Sequence, residues 1–135
     1  MKYLVDANVL SEPTKLVRVQ RVVDWLNAND TELAASAVVM GELWRGVDAL
    51  AEGRKKQELA AWLAKVCARV PVFDWTLETA LVWAEMVNHV KRSGYTVGIM
   101  DTMIAATAKL HGLTVATRNV ADFRRCGVPV INPFE

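Results

Sequence analysis

The apolar positions of the chain form short runs that alternate with stretches of helical spacing. Short runs at residues 2–6, 32–35, 72–73, 113–117 and 128–132 predict five strands. Between them, apolar residues recur three and four positions apart, as they do in amphipathic helices. No hairpin turn signal joins one strand to the next. The pattern therefore predicts an α/β fold, with a mainly parallel central sheet flanked by helices in an α/β/α sandwich.

The predicted helices begin and end at residues typical of helix termini. Ser36 is a typical N-cap, either Asp74 or Thr76 can cap a later helix, and Gly112 follows an alanine-rich helix. Residues 118–123 form a turn or a short helix. By their approximate bounds, the predicted helices are 17–27, 37–50, 54–70, 77–92 and 100–111.

Length and composition indicate one domain spanning residues 1–135. With 53% hydrophobic residues, the chain can bury a substantial core. We expect a soluble, cytoplasmic protein, because the sequence has neither a signal-peptide pattern nor an apolar run long enough to cross a bilayer. Cys67 and Cys126 have neither the number nor the spacing of a disulfide framework or a zinc site.

The net charge gives no sign of a globally basic surface for nucleic acid. The chain has 16 Lys and Arg residues against 15 Asp and Glu residues, a formal charge of +1. Any contact with nucleic acid must therefore come from local basic residues. The pairs Lys91–Arg92 and Arg124–Arg125 are examples, although each pair is more simply explained as solvated surface.

Acidic and amide residues of separate segments fall at one edge of the predicted sheet. In an open parallel sheet, ligands bind beyond the carboxyl ends of the strands, and helices that follow strands begin there. We therefore expect these side chains to share one region. They are Asp6, Glu42, Asp101, Asn119 and Asp122, with Thr117 beside them.

Each of these residues has a simpler explanation when taken alone. Asp6 can be a turn former, Asp101 a helix N-cap and Glu42 a solvated helix residue. Together, however, clustered carboxylates raise one another's pKa unless a cation neutralises them. Mg²⁺ meets this need, because it takes oxygen ligands and keeps several waters. The sequence therefore predicts a metal site at this edge.

The segments that contain these residues resemble the PIN-domain ribonuclease toxins of the VapC type, from bacterial type II toxin–antitoxin pairs. The matching segments span residues 3–135 in order, and the third is long and distinctive. They are YLVDANVLSE, SAVVMGELWRG, IMDTMIAATAKLHGLTVATRNVADF and VPVINPFE. The resemblance implies a PIN domain and a Mg²⁺- or Mn²⁺-dependent endoribonuclease.

The resemblance also implies roles for particular residues. Asp6 and Asp101 match the principal metal-binding aspartates, and Glu42 matches the acid that completes the site directly or through water. Asn8 and Thr117 match polar residues that support the acidic pocket.

Two positions depart from the pattern of the family. Val39 stands where many relatives have threonine, so one polar contact to the pocket is missing. Asn119 lies where relatives carry either aspartate or asparagine. A fourth carboxylate must then come from Asp122 or be absent, and we expect one tightly held ion.

The implied chemistry is phosphodiester hydrolysis by an activated water. A metal ion on Asp6 and Asp101 would polarise the phosphoryl oxygen and acidify the water, which Glu42 or Asp122 would orient or deprotonate. In-line attack would leave a 5′-phosphate and a 3′-hydroxyl, without the ribose 2′-hydroxyl as nucleophile.

RNA is the substrate that the resemblance implies, in single-stranded or looped form. The basic residues that could contact flanking phosphates are Arg45, Arg118, Lys91 and Arg92. Trp44 lies beside Glu42 in the sequence and could border a groove for an antitoxin, but core burial is the simpler expectation.

Partners are likewise implied by the family. We expect a homodimer and a cognate VapB-like antitoxin that inserts an arginine or lysine into the acidic pocket, in a larger hetero-oligomer. Operator DNA would be bound only through the antitoxin, and no membrane is involved.

Two other functions fit part of the sequence. A phosphoacceptor receiver-type signalling domain is also small and acidic at a sheet edge, but it needs adjacent acids after the first strand and a lysine after a late strand. Here Asp6 stands alone, and the late strand leads to Thr117-Arg118-Asn119. A catalytically idle PIN-like module that binds RNA or protein is the second alternative.

Overall fold

The computed structural model describes residues 1–135 and contains five strands and seven α-helices. The strands are β1 Tyr3–Val5, β2 Leu33–Ser36, β3 Val72–Phe73, β4 Thr114–Ala116 and β5 Val130–Ile131. The helices are α1 Ala7–Leu10, α2 Gln20–Ala28, α3 Ala37–Asp48, α4 Arg54–Arg69, α5 Leu77–Arg92, α6 Ile99–His111 and α7 Val120–Arg125. Two short 3₁₀ helices lie at Glu12–Thr14 and Asp30–Glu32.

All strand pairs are parallel, and the strand order is β3-β2-β1-β4-β5. The chain moves outward from β1 through β2 to β3, and then returns to pair β4 with the other side of β1. Because crossovers between parallel strands are right-handed, this reversal places the two sets of connecting helices on opposite faces. Helix α3 packs on α4, and α5 packs on α6. The predicted α/β/α sandwich is confirmed.

The central strands are buried along their whole length. Every residue of β1 and β2 is buried, as expected for parallel strands covered on both faces. Helix α6 adds the small buried residues Ala105, Ala106 and Ala108, which allow it to pack closely. No helix combines the length and the apolar character needed to cross a bilayer.

Helix ends agree with the expected caps at three positions. The Ser36 hydroxyl accepts a hydrogen bond from Val39 N at 3.2 Å, and the Thr76 hydroxyl accepts one from Thr79 N at 3.2 Å. Gly112 ends α6 at φ 65°, in the left-handed region that favours glycine.

One predicted helix start and one alternative role for a helix residue disagree with the structure. The helix predicted over residues 17–27 begins at Gln20, because Leu16 and Val17 are fully or almost fully exposed and pack on nothing. Asp101 is not an N-cap, since Gly98 caps α6 and Asp101 is its third residue. The Asp101 carboxylate is thus free to interact outside its own helix end.

Candidate active site

Asp6 directly follows β1 and is the N-cap of α1. Its Oδ1 accepts a hydrogen bond from Ala7 N at 2.8 Å, and its Oδ2 accepts one from the Thr117 hydroxyl at 2.7 Å and one from the Asn8 amide at 3.2 Å. The side chain is only 5% exposed. Burial raises the pKa of the Asp6 carboxyl, and the three hydrogen bonds oppose that rise.

One amide joins two further carboxylates. The Asn119 Nδ2 donates to Asp101 Oδ2 at 2.8 Å and to Asp122 Oδ2 at 3.0 Å. The backbone N of Asn119 donates to the Thr117 hydroxyl oxygen at 2.9 Å. The ends of β1 and β4 and the start of α6 are therefore connected by one set of hydrogen bonds.

Glu42 approaches the same acids from the second turn of α3. Its Oε1 is buried and has no hydrogen-bond partner. Burial raises the pKa of the Glu42 carboxyl, and the negative charges of Asp6 and Asp101 raise it further, while Arg45 lowers it. Glu42 is thus electrostatically coupled to both aspartates, although it shares no hydrogen bond with them.

Asp101 responds to the same cluster. Burial raises the pKa of the Asp101 carboxyl first, followed by the charges of Asp6 and Asp122, and the hydrogen bond from Asn119 lowers it. The acidic residues also act on Cys126. Burial, together with the negative charges of Asp101 and Asp122, raises the pKa of its thiol to about 11. That thiol is therefore protonated at neutral pH.

The side chains suit a hard divalent cation. The atoms that could bind a metal are all oxygens. The carboxyls of Asp6, Glu42 and Asp101 come from separate segments and each has a raised pKa. The buried Glu42 Oε1 has no hydrogen-bond partner. No group of three or more His, Cys, Asp and Glu side chains is arranged closely enough to hold a metal ion by itself. Mg²⁺ is usually bound by only one or two carboxylates and keeps several waters, so an open arrangement of this kind fits it.

The remaining residues expected at the site are placed around these acids. Asn8 donates to Asp6 Oδ2 and, at 3.4 Å, to the Thr117 hydroxyl, while its Oδ1 accepts from Arg118 N at 3.1 Å. Arg45 acts on Glu42 through its charge.

Lys91 and Arg92 are exposed at the C-terminal end of α5 and form no ion pair with the acids. The Arg118 side chain is directed to Phe134. The structure therefore joins the acidic and amide residues, but it does not bring the side chains of Lys91, Arg92 and Arg118 into contact with the acids.

The structure also shows contacts that the sequence pattern did not reveal. The Trp83 indole N–H donates to the Thr102 hydroxyl at 3.0 Å, one residue from Asp101. Helical spacing alone indicated a core residue at position 83, and nothing in the sequence identified its hydrogen-bond partner. Trp44, expected in the core, is 39% exposed.

Comparison with known proteins gives the same family at three levels. The PIN domain family model matches residues 3–128. The toxin FitB of Neisseria gonorrhoeae is 37% identical over 137 residues, which cover 97% of each chain. The VapC ribonuclease Y4jK of Sinorhizobium fredii is 34% identical over 98% of this chain and 97% of its own. The structure of FitAB bound to an IR36 DNA fragment superposes with a TM-score of 0.91 at 32% identity, covering 98% of this chain and 96% of the other.

Proposed function

Because the chain belongs to the PIN-domain family and, within it, to the VapC-type ribonuclease toxins, we propose that it is a metal-dependent endoribonuclease. One observation carries the proposal. The carboxyls of Asp6, Glu42 and Asp101 all have raised pKa values, and the buried Glu42 Oε1 has no partner. A divalent cation would relieve the repulsion and give that oxygen a partner.

Asp6 and Asp101 would hold Mg²⁺ or Mn²⁺, and Glu42 would complete the site directly or through water. When bound, such an ion polarises a phosphoryl oxygen and acidifies a nearby water. The protein supplies the positions of the carboxylates. Asp6 is fixed by three hydrogen bonds and Asp101 by the amide of Asn119.

Glu42 is the better of the two candidates for the general base. Asp122 already accepts from Asn119 through Oδ2 and contacts Arg125 through Oδ1 at 3.5 Å. Glu42 Oε1 has no such partner, and a raised pKa makes its carboxylate a stronger proton acceptor. The water that Glu42 deprotonates would attack the phosphorus while the P–O3′ bond breaks, and the leaving 3′ oxygen would take up a proton. The products would carry a 5′-phosphate and a 3′-hydroxyl, and the ribose 2′-hydroxyl would take no part.

The chain would act as the toxin of a toxin–antitoxin pair. A VapB-like antitoxin would inhibit it by inserting an arginine or lysine into the acidic pocket, where a cation is favourable for the same electrostatic reason as a metal. The DNA-bound FitAB structure supports an assembly in which operator DNA is bound through the antitoxin. We propose a homodimer within that hetero-oligomer.

Cleavage assays on the purified, antitoxin-free protein test the activity. Total tRNA and a structured ribosomal RNA fragment are incubated with Mg²⁺, Mn²⁺ or a chelator. Asp6→Asn is the test variant. Glu58→Gln, on the exposed side of α4, is the control, because it also removes one carboxylate but lies away from the site. We expect discrete fragments with 5′-phosphate ends from the parent and from Glu58→Gln, and none from Asp6→Asn or with the chelator.

Equal cleavage by Asp6→Asn, or cleavage that persists in the chelator, would contradict the proposal. A second assay replaces the ribose at the cleavage site with 2′-deoxyribose. Cleavage should continue there. If binding remains but the chemical step is lost, the 2′-hydroxyl is the nucleophile and the hydrolytic mechanism is wrong.

A further inference from the structure

Arg118 and Phe134 form a stacked pair beside the acidic site. The Arg118 guanidinium carbon lies 3.8 Å from the centre of the Phe134 ring. Phe134 is held in place by a turn in which the Asn132 Oδ1 accepts a hydrogen bond from Phe134 N at 3.0 Å. Pro133, between them, is buried. The ring is therefore a fixed surface on which the guanidinium rests.

The pair lies on the same sheet edge as the carboxylates. Arg118 follows β4, and its backbone N donates to Asn8 Oδ1, whose own amide donates to Asp6. Phe134 follows β5, which lies two strands from β1. Neighbouring strands are about 4.8 Å apart, so along this edge β4, which leads to Arg118, lies about 5 Å from β1, and β5, which leads to Phe134, lies about 10 Å from it.

The charge of Arg118 has no partner within the chain. Arg118 takes part in no ion pair, and its guanidinium donates no hydrogen bond. Arg125 differs in this respect: it lies 4.4 Å from the Tyr95 ring centre, but it also pairs with Asp122. Stacking fixes the plane of a guanidinium and leaves its N–H groups free, in the geometry that matches a phosphate.

We propose that the Arg118–Phe134 stack is a phosphate-binding subsite for the RNA strand, next to the scissile phosphate. The proposal rests on the ribonuclease function proposed above, because that function places the scissile phosphate at Asp6 and Asp101. An acidic pocket repels the neighbouring phosphates of the strand. The Arg118 cation, fixed on the same edge one β-strand away from Asp6, offsets that repulsion and sets the direction in which the RNA leaves the site.

Binding of a short fluorescein-labelled oligouridylate, followed by anisotropy over a salt series, tests the subsite. All proteins carry Glu42→Gln, which removes the proposed general base and keeps Asp6 and Asp101 as metal ligands, so that no RNA is cut during the titration, and Mg²⁺ is present throughout. We expect Arg118→Ala to weaken binding about tenfold and to reduce the slope of log affinity against log salt by about one. Arg118→Lys should keep that slope and bind about threefold more weakly, because it keeps the charge but loses the planar fork.

Phe134 and Lys2 provide the matched variants. Phe134→Ala should weaken binding about threefold without changing the slope, and Phe134→Tyr should restore it. Lys2 also lies over an aromatic ring, 5.3 Å from the centre of Tyr3, but it precedes β1 and belongs to the opposite edge. Lys2→Ala should therefore stay within about twofold of the background protein.

Three results would overturn the subsite: no RNA binding by the background protein, an Arg118→Ala affinity within about twofold of it, or an equal loss in Lys2→Ala. Thermal unfolding of each variant confirms that it is folded. Failure of the ribonuclease proposal is seen separately, as absence of metal-dependent cleavage by the parent chain, in which Asp6 and Glu42 are both intact.

Discussion

The hydroxyl of Thr117 donates a 2.7 Å hydrogen bond to Oδ2 of Asp6, across 111 positions of sequence. The two residues follow β4 and β1, which are adjacent parallel strands with Val5 opposite Ala116. The same hydroxyl oxygen accepts from the backbone N of Asn119 at 2.9 Å. Thr117 therefore fixes Asp6 and also fixes the loop from which Asn119 binds Asp101.

Replacing Thr117 with valine should damage the site more than the fold. The change leaves Asp6 Oδ2 with only the Asn8 amide and leaves Asn119 N without its partner. We expect a loss of about 1–2 kcal/mol in the free energy of unfolding. The pKa of Asp6 should rise further, because the Thr117 hydrogen bond lowers it. The pH profile of RNA cleavage should then move to higher pH.

Thr107→Val is the matched control for that change. Thr107 is equally buried in α6, and its hydroxyl donates to Met103 O at 3.0 Å. Loss of the Thr107 hydroxyl should lower the free energy of unfolding without moving the pH profile of RNA cleavage. Thr117→Ser keeps the hydroxyl, so its stability and its pH profile should both match those of the parent. Identical pH profiles for Thr117→Val and Thr107→Val would show that Thr117 has no specific effect on Asp6.

Asp101→Asn should stabilise the metal-free protein at neutral pH. The pKa of Asp101 is raised above its ordinary value of 3.8, so the folded state favours the protonated form. Its contribution to the free energy of unfolding is fully present below that value and is lost as pH rises through the raised pKa. The asparagine cannot ionise, and its Oδ1 can still accept from Asn119, so it avoids that loss.

Denaturant unfolding in a chelator, from acid to neutral pH, measures the effect. The advantage of Asp101→Asn should be largest near pH 7 and should disappear as the pH falls to about 4. Asp74→Asn, an exposed aspartate outside the cluster, controls for the loss of one charge. Added Mg²⁺ should stabilise the parent more than the variant. If the stability advantage of Asp101→Asn over the parent instead grew towards acid pH, the prediction would be contradicted.

Much of the fold could be predicted from local pattern. The run Tyr3–Val5 is uniformly apolar because β1 is covered on both faces, and Ser36 and Gly112 mark helix ends through their own chemistry. The strand order could not be read in this way, because it depends on which strands pair across long sequence separations. Trp44 shows the same limit. Helical spacing from Met40 and Val47 indicates a buried face, but it does not show how far neighbouring elements extend over it.

Asn119→Asp should make stability depend on metal. The Asn119 amide donates to both Asp101 and Asp122, whereas an aspartate would place a third carboxylate against them. We expect a lower melting temperature in a chelator at neutral pH, through lost hydrogen bonds and repulsion. Mn²⁺ or Mg²⁺ should raise the melting temperature of the variant more than that of the parent.

Two variants separate these causes. Asn119→Ala loses the same hydrogen bonds without adding charge, so it should be destabilised but should gain no additional response to metal. Asn27→Asp adds one negative charge at an exposed position of α2. It should change neither the melting temperature nor its response to metal appreciably. If Asn119→Asp and Asn119→Ala respond equally to Mn²⁺, position 119 does not contribute to cation binding.

The acidic cluster was accessible to sequence reasoning only in part. Asp6 and Thr117 could be placed at one edge because each directly follows a strand, and parallel strands end on the same side. The pairing of particular atoms could not be predicted. It follows from the register of β1 against β4 and from the way α6 packs on β4 and α7, which brings Asp101 to Asn119. The sequence gives no local trace of either feature.

Trp83→Phe should loosen the start of α6 and slow the reaction. The Trp83 indole N–H donates to the Thr102 hydroxyl, which itself donates to Ile99 O at 2.6 Å. These bonds tie α5 to the first turn of α6, where Asp101 lies. Losing the indole donor should lower the free energy of unfolding by about 1 kcal/mol. We expect kcat to fall several-fold and KM to change little, since Trp83 positions Asp101 without contacting RNA.

Trp62→Phe is the control, because Trp62 is half-buried on α4 and its indole donates no hydrogen bond within the chain. Amide hydrogen exchange of the first turns of α6 distinguishes a positioning role from a general loss of stability. Trp83→Phe should accelerate exchange there, beyond the change that its global stability explains, and Trp62→Phe should not. Equal exchange in the two variants, or an unchanged kcat in Trp83→Phe, would mean that the indole hydrogen bond only stabilises the fold.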